Sequence, residues 1–348
     1  HQPEDLLEEI ARCWGYNRIK TRMPHVAAGR ARPNRDLDVK HTVRSLMNGF
    51  GFTETINYSF ISERAGDYLH LADDDPRRAT VRILNPLTED QNVMRTSLVP
   101  GLMETAVRNV AQQMKDLKIF EIGKTFISRG QDCQPDERDV LAALWTGARH
   151  ENAWNRKAVA CDFYDIKGAA EGLLCGLRLE DIRFIRAQES QSPYLHPGAA
   201  ADIVIASQRV GCIGEMHPTV LAEFNLKQPA FLFEIDLDRL TPLIPVRMQA
   251  AFLPRYPSTS RDITLIVDDD LEAQGVLLDI QQMGQKLVED VWIFDVFRGR
   301  PIPTGKKSLS LRVVYRSASG TLEDEKVNTI HRDLTRQLLE TYKADLPS

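Results

Sequence analysis

A chain of 348 residues, 43% hydrophobic and 27% charged, has the composition of ordinary globular domains, and its length predicts two or three of them. Its 44 Lys and Arg against 49 Asp and Glu leave a net charge near −5, which excludes a wholesale basic coat for nucleic acid but leaves room for a local basic patch. No apolar run is long enough for a membrane helix, and five scattered Cys without a CxxC pair argue against a thiolate zinc site or a disulfide framework. Buried thiols in a reducing compartment fit them better. HExxH is absent, and Gly305-Lys306-Lys307-Ser308 has the wrong register for a phosphate loop, so a self-contained metallohydrolase or P-loop enzyme is not expected. The opening His1-Gln2-Pro3-Glu4-Asp5 has no basic leader and no initiator Met, and reads as part of a longer chain rather than a signal peptide.

Residues 4–14 predict a short helix with Leu6, Ile10, Cys13 and Trp14 as its apolar stripe, ended by Gly15. Asp5, Glu8 and Glu9 sit at i, i+3 and i+4, so the three carboxylates share a face. Two readings stand open: a set of hard oxygen ligands for Mg2+, or an acidic helix start that complements the dipole, with spacing alone favouring the second. From 18 to 35 there is no acid, but six basic residues with Pro and Gly predict a linker at 21–36. A large unit over 37–245 opens on a helix carrying Val39, Val43, Leu46 and Met47, closed by Gly49 and Gly51. Residues 52–60 then alternate, with Phe52, Ile56, Tyr58 and Phe60 on one face, and predict a half-buried strand. Further strands are expected at 119–126, 140–145, 201–206, 210–216 and 231–237, and helices at 98–113 and 165–175. Strands outnumber helices without strict alternation, so an α+β arrangement follows: an antiparallel sheet flanked by helices.

Pro242, Pro245 and Pro254 punctuate the passage through the 246–254 linker into a third unit, 255–348. Strands at 262–267, 287–297 and 308–316 and helices at 272–283 and 323–342 predict a ferredoxin-like βαββαβ domain, its closing strand drawn from 344–346. Thr321-x-x-Asp324 looks like a capping box. From 296 to 316 there are Arg298, Arg300, Lys306, Lys307, Arg312 and Arg316, and no acid. In the last strand Leu309, Leu311, Val313 and Tyr315 share one face while Ser308, Ser310, Arg312 and Arg316 share the other, so a core side and a cationic side are expected. Composition alone is as compatible with a solvated hairpin. Trp292 and Phe297 are candidates for stacking on bases, with core burial the favoured alternative.

Motifs in order then narrow the field. The middle unit carries Asn85-Pro86-Leu87, Met94-Arg95-Thr96-Ser97-Leu98, Ile119-Phe120-Glu121-Ile122-Gly123, Asp162-Phe163-Tyr164-Asp165-Ile166-Lys167-Gly168, Leu195-His196-Pro197-Gly198 and Gly211-Cys212-Ile213-Gly214-Glu215-Met216-His217-Pro218. The last unit carries Tyr256-Pro257-Ser258-x-x-Arg261-Asp262-Ile263, Phe294-Asp295-Val296-Phe297-Arg298-Gly299 and Gly305-Lys306-Lys307-Ser308-Leu309. Over essentially its whole length the chain resembles the C-terminal half of the bacterial phenylalanyl-tRNA synthetase beta-subunit family. The resemblance implies a class II synthetase-like core followed by a ferredoxin-fold anticodon-binding domain, with residues 1–20 the end of a preceding magnesium-binding module. It assigns Mg2+ to Asp5, Glu8 and Glu9, although the family's further upstream Asp ligand is absent. It makes the 37–60 helix and strand the dimer-forming motif, with Val39, Val43, Leu46 and Phe50 as anchors on the alpha subunit; an intrachain core helix is the alternative.

The same resemblance implies a noncatalytic chain. Adenylate-forming enzymes of this class hold ATP phosphates with two arginines. Here Ile119 stands two residues before Glu121 where the second motif has Arg, and Gly211-Cys-Ile-Gly-Glu-Met216 lacks the Arg of the third. ATP, phenylalanine and the transfer step then belong to an alpha subunit, in a cytoplasmic heterotetramer of two alpha and two beta chains that charges tRNA(Phe), with the 255–348 basic residues on the anticodon arm. A self-sufficient ATP-using ligase descended from a synthetase, or a free-standing RNA-binding module, are the rival readings. His196, His217 and the glutamates Glu121, Glu215 and Glu234 invite acid–base readings, but turn, core and hydrogen-bonding roles are favoured for them.

Overall fold

Pro3 at the first helical position, and Asp5 accepting from the Gln2 N–H at 3.0 Å, start helix α1 (Pro3–Trp14); Gly15 at φ +100° stops it. The computed structural model describes residues 2–23, 34–86, 88–130, 133–187, 191–247, 253–284 and 287–347. Most of the basic linker therefore lies outside the described residues. No residue of α1 is buried, and Leu6, Leu7, Ile10 and Trp14 are each more than half exposed, so its apolar stripe is largely in solvent.

The middle unit follows in the order α2 (Arg35–Gly49), β1 (Thr53–Glu54), β2 (Phe60–Ile61), α3 (Ala65–Tyr68), β3 (Val93–Met94), α4 (Val99–Ala111), β4 (Leu117–Ile127) and β5 (Asp136–Thr146). Then come α5 (Phe163–Gly176), β6 (Ile182–Arg186), β7 (Leu195–Ile205), β8 (Gln208–Met216), α6 (Pro218–Glu223), β9 (Ala230–Asp236) and α7 (Leu237–Leu240). One sheet in the order β1-β4-β5-β9-β8-β7-β6 organises it, with antiparallel neighbours throughout except the parallel β1/β4 pair. Alternation along the long strands sorts two cores onto its two faces. Phe120, Leu141, Ala143, Phe233 and Ile235 meet α2 and α5 on one face. Ile119, Ala142, Leu144, Leu232 and Cys212 meet α4 and Tyr194 on the other. Asn34 caps α2 by accepting from the Asp36 and Leu37 N–H groups, and Asp162 caps α5 in a capping box with Asp165.

The expected strand over 52–60 does not form as one element. Thr53 and Glu54 pair with Ile119 and Phe120, and then the Asn57 side chain and N–H turn onto the Glu121 carboxylate (2.7 and 3.4 Å), ending the ladder. Ile56 and Tyr58 are left 94% and 75% exposed, so the alternation seen in sequence does not mark a buried face there. Strand β6 had no sequence signal, because it is a half-exposed edge strand of mixed Ile, Arg and Phe.

The last unit runs β10 (Thr259–Asp268), α8 (Ala273–Met283), β11 (Val288–Phe297), β12 (Lys306–Tyr315) and α9 (Asp324–Tyr342). Its sheet order is β10-β12-β11, and a lone Ile266–Asp345 bridge lies at the free edge of β10. With that bridge as a vestigial fourth strand, the order four-one-three-two is that of a ferredoxin-like domain. Both helices cover one face, where Val276, Ile280, Val327, Leu334 and Leu338 pack on Leu309, Leu311, Val313 and Tyr315. The expected capping box at Thr321 is replaced: Glu323 is the N-cap without a side-chain bond, and the Asp324 carboxylate is taken by Arg261 at 2.6 Å.

Candidate functional site

Four places carry the chemistry expected from sequence. The first is the sheet face beneath α4. The two positions that lack motif arginines, Ile119 and Met216, are buried there among Leu102, Met103, Leu144 and Leu232. Glu121 is also buried, paired with Arg95 at 2.6 Å and bonded to Asn57. Glu234 accepts from Ser97 Oγ (2.9 Å), the Leu98 N–H (3.2 Å) and Tyr194 OH (3.1 Å). The register sets Ala142 between the two glutamates, and each has its own donors, so they form no acid–base pair. His217 Nδ1 accepts from the Thr219 N–H at the start of α6, and His196 Nδ1 accepts from the Gly198 N–H, so both imidazoles serve turns.

Beyond Glu234 the same face opens into a cavity of about 610 Å³, walled by Ala72, Pro76, Ile127, Val140 and Val210. Arg77, Arg138, Arg209 and Arg239 line it against Asp74, Asp75, Glu234 and Asp236. Burial pushes the Tyr194 phenol far above its ordinary range and raises the Cys212 thiol too, so both line the floor uncharged. Arg77 lies over the Tyr194 ring at 5.5 Å. The motifs supply Thr96, Gly211 and Cys212 to this pocket, but no single motif reveals it, since its lining comes from seven separate stretches of chain.

The second place is the last unit's open sheet face. The acid-free run is not free of acids in space. Arg298 pairs with Asp269, Lys306 with Asp345, Arg312 with Asp262 through two parallel bonds of 2.7 Å, and Arg316 with Glu289. Lys307 is buried and donates to the Asp269 and Leu271 carbonyls at 2.8 and 2.7 Å, with burial lowering its pKa; this residue, one of the six expected on the anticodon arm, serves here as a structural lysine. Arg300 is exposed and makes no ion pair among the described residues. The aromatics depart from the expected core burial: Trp292, Phe294 and Phe297 are 40%, 50% and 43% exposed. Trp292 is the register partner of Arg312, whose guanidinium lies 5.4 Å from the Phe294 ring. A bulge between Ile293 and Asp295 shifts the alternation, which is why sequence left that register ambiguous.

The third place is the start of α1. Asp5 is engaged by Gln2, and Glu9 by Arg12 at 2.6 Å; Glu8 is exposed. Among the described residues no group of three or more His, Cys, Asp or Glu could hold a metal, so Asp5, Glu8 and Glu9 do not form such a set in this arrangement. The fourth is α2. Val39 and Val43 are buried in this chain's own core, Leu46 packs on Gly176 and Phe50 on Gly172, where an added Cβ would come within 2.9 and 2.8 Å of them. Val39 and Val43 are thus used internally, whereas Leu46 is part-buried and Phe50 is 36% exposed; the stripe of a core helix and of an interface helix has the same period.

Comparison with known proteins gives a consistent picture. Residues 19–237 match the family described as Phenylalanyl tRNA synthetase beta chain CLM domain, and residues 254–347 match the Ferredoxin-fold anticodon binding domain. The chain is 40% identical over 345 residues to the Phenylalanine--tRNA ligase beta subunit of Syntrophotalea carbinolica, covering 98% of this chain and 42% of that protein. It is 36% identical over 344 residues to the same subunit of Geobacter sulfurreducens, again covering 98% of this chain and 42% of the relative. It thus spans less than half the length of these curated relatives. A solved pyrrolysyl-tRNA synthetase from Desulfitobacterium hafniense aligns over 59% of this chain and 67% of that one, with 16% identity and a TM-score of 0.45, a likeness too loose to argue from.

Proposed function

Because this chain belongs to the phenylalanyl-tRNA synthetase beta-chain family, we propose that it is a noncatalytic part of phenylalanine–tRNA ligase. In this reading 37–245 is a synthetase-derived class II core that holds an alpha subunit, and 255–348 is an anticodon-binding domain that holds tRNA(Phe). The alpha subunit supplies the ATP site, adenylates phenylalanine and passes it to the terminal ribose, in a cytoplasmic heterotetramer of two alpha and two beta chains. No helix among the described residues is long and apolar enough to cross a membrane.

The observation that carries the noncatalytic part is the burial of Ile119 and Met216 in apolar packing. A developing phosphate charge there would meet hydrocarbon instead of guanidinium, and the space is filled by α4. The purified chain given ATP and phenylalanine is expected to show no phenylalanine-dependent pyrophosphate exchange; measurable exchange without an alpha subunit would instead make it a self-sufficient ligase.

For the partner surface, the residues that best support docking are Ile56 and Tyr58, rather than the largely covered α2 stripe. Both are exposed, and they flank Asn57, which is pinned by Glu121 through its side chain and by Thr105 at 2.7 Å. Two apolar side chains on a hydrogen-bonded base lose little freedom on docking. For tRNA, the open face of β11 and β12 offers Trp292 and Phe294 for stacking on unpaired bases and Arg312 for a phosphate, with the exposed Arg300 in the connection between the two strands as a further cation. Co-expression with a phenylalanyl-tRNA synthetase alpha subunit should yield a co-purifying complex; its absence under conditions where both chains are folded removes the central claim.

A further inference from the structure

Strand β6 ends the seven-stranded sheet and is paired along one edge, by β7. The Ala187 N–H bonds the Ala200 carbonyl on that side. By alternation Arg183 and Ile185 also turn their backbone groups to β7, while Ile182 and Phe184 turn theirs outward. Such an edge is a row of unmet donors and acceptors, ready to take another extended segment. Among the described residues no strand lies there. The edge is met instead by Gln274, in the first turn of α8 of the last unit. Its Oε1 accepts from the Phe184 N–H at 3.2 Å, and its Nε2 donates to the Ile182 carbonyl at 3.3 Å. Those are the two bonds that one residue of a parallel strand would make opposite Arg183. The pair also fixes the carboxamide's orientation, since turning it over would set N–H against N–H and oxygen against oxygen.

Little else joins the two units. Among the described residues the one further hydrogen bond or ion pair between them is Arg186–Glu272 at 3.7 Å, and both side chains are well exposed. Their apolar cores share no residue: Phe184 packs on the middle unit's cluster, and Val276 and Ile280 of α8 belong to the last unit's own. A contact this small and polar lets the domains move once it opens, while the covalent connection keeps the two halves close enough to re-engage. We propose that Gln274 is a releasable joint between the middle and last units. Its carboxamide stands in for a strand residue on β6, and when engaged it sets the orientation of the last unit's open sheet face relative to the middle unit. The joint itself is independent of what that face binds; its use in holding tRNA rests on the reading given above.

Amide hydrogen exchange in the whole chain, followed by NMR, tests this. Gln274→Ala removes both bonds and suits the helix, and Gln274→Glu keeps the length but sets an oxygen against the Ile182 carbonyl. In each variant the Phe184 amide should exchange about tenfold faster or more, as two net hydrogen bonds are lost. The Arg183 and Ile185 amides, on the β7 side, should be unchanged. Small-angle scattering should show a longer maximum dimension as the last unit swings free. Unchanged Phe184 exchange or an unchanged scattering profile would overturn the joint. So would loss of protection at Leu311, in the middle of the last unit's sheet, together with Phe184, because Gln274 would then serve that unit's own fold. In the complete ligase Gln274→Ala should weaken tRNA binding at an unchanged salt slope, since no phosphate contact is removed. Unchanged tRNA affinity would overturn the positioning role. Exchange and scattering need no RNA, so a failure of the joint and a failure of the tRNA reading are told apart.

Discussion

Arg95 and Glu121 are a pair whose side chains are only 6% and 3% exposed, joined at 2.6 Å. Arg95 also donates to the Lys124 carbonyl at 2.9 Å, and Glu121 accepts from the Asn57 side chain at 2.7 Å, so neither ion lacks partners. Gly123 is required beside them, since a Cβ there would collide with the Arg95 guanidinium. Removing one partner leaves an uncompensated buried charge, so Arg95→Met should cost about 3–5 kcal/mol in urea unfolding, and Arg95→Met/Glu121→Met should recover much of that. The residues of this network are legible in the Met94–Leu98 and 119–123 motifs, but their pairing is not. A carboxylate on a strand can face either side of the sheet, and only the fold brings Arg95 to it. His331 makes a second case. Burial lowers its pKa from 6.5, and its Nδ1 bonds Tyr315 OH at 2.9 Å. As pH falls below about 6.5 the unfolded chain takes up this proton before the folded one, so stability is lost toward acid through this group. His331→Gln should therefore flatten the fall in melting temperature between pH 7 and 5; an unchanged slope would show that other groups govern it.

At the scale of elements, periodicity locates α2, α4, α5 and the long strands well, because each buries a complete face of a sheet or helix. It fails where burial is supplied by something other than the pattern. The 52–60 stretch alternates like a strand, but hydrogen bonds from Asn57 fix its course and leave Ile56 and Tyr58 in solvent. The α2 stripe, conversely, is a real apolar face whose Val39, Val43 and Met47 the chain itself covers. The two cases separate experimentally. Ile56→Asp/Tyr58→Ser alters only exposed side chains, so the lone chain should keep its stability to within about 0.5 kcal/mol while alpha-subunit capture falls. Val43→Asp places a charge in a fully buried position and should abolish fold and capture together. If the surface pair is captured as well as the unmodified chain, the docking face lies elsewhere.

For the whole molecule, a net charge of −5 gives no general attraction for RNA, so any tRNA binding must come from a local arrangement of cations. The sequence displays such a run between 296 and 316, and its acids are invisible there because they arrive from Asp262, Asp269, Glu289 and Asp345 on other segments. Five of the six basic residues are thus held by carboxylates or, for Lys307, by carbonyls. A phosphate that meets Arg312 must displace or share Asp262, and the number of counterions released on binding should be well below six. Two opposite perturbations follow in the complete ligase. Replacing Arg298, Arg300 and Arg312 together by Gln should weaken tRNA binding and make its log–log salt dependence shallower by about 0.7 for each single-stranded phosphate that is no longer neutralised. Asp262→Asn removes the competitor of Arg312 and should act in the other direction, tightening binding at low salt and steepening the slope. Phenylalanine-dependent pyrophosphate exchange should be the same in both, since neither change touches the adenylation site. Wild-type affinity and slope in the triple variant would rule this face out as the tRNA-binding surface, and a weakened Asp262→Asn variant would show that the Asp262–Arg312 pair orients the guanidinium rather than competing for it.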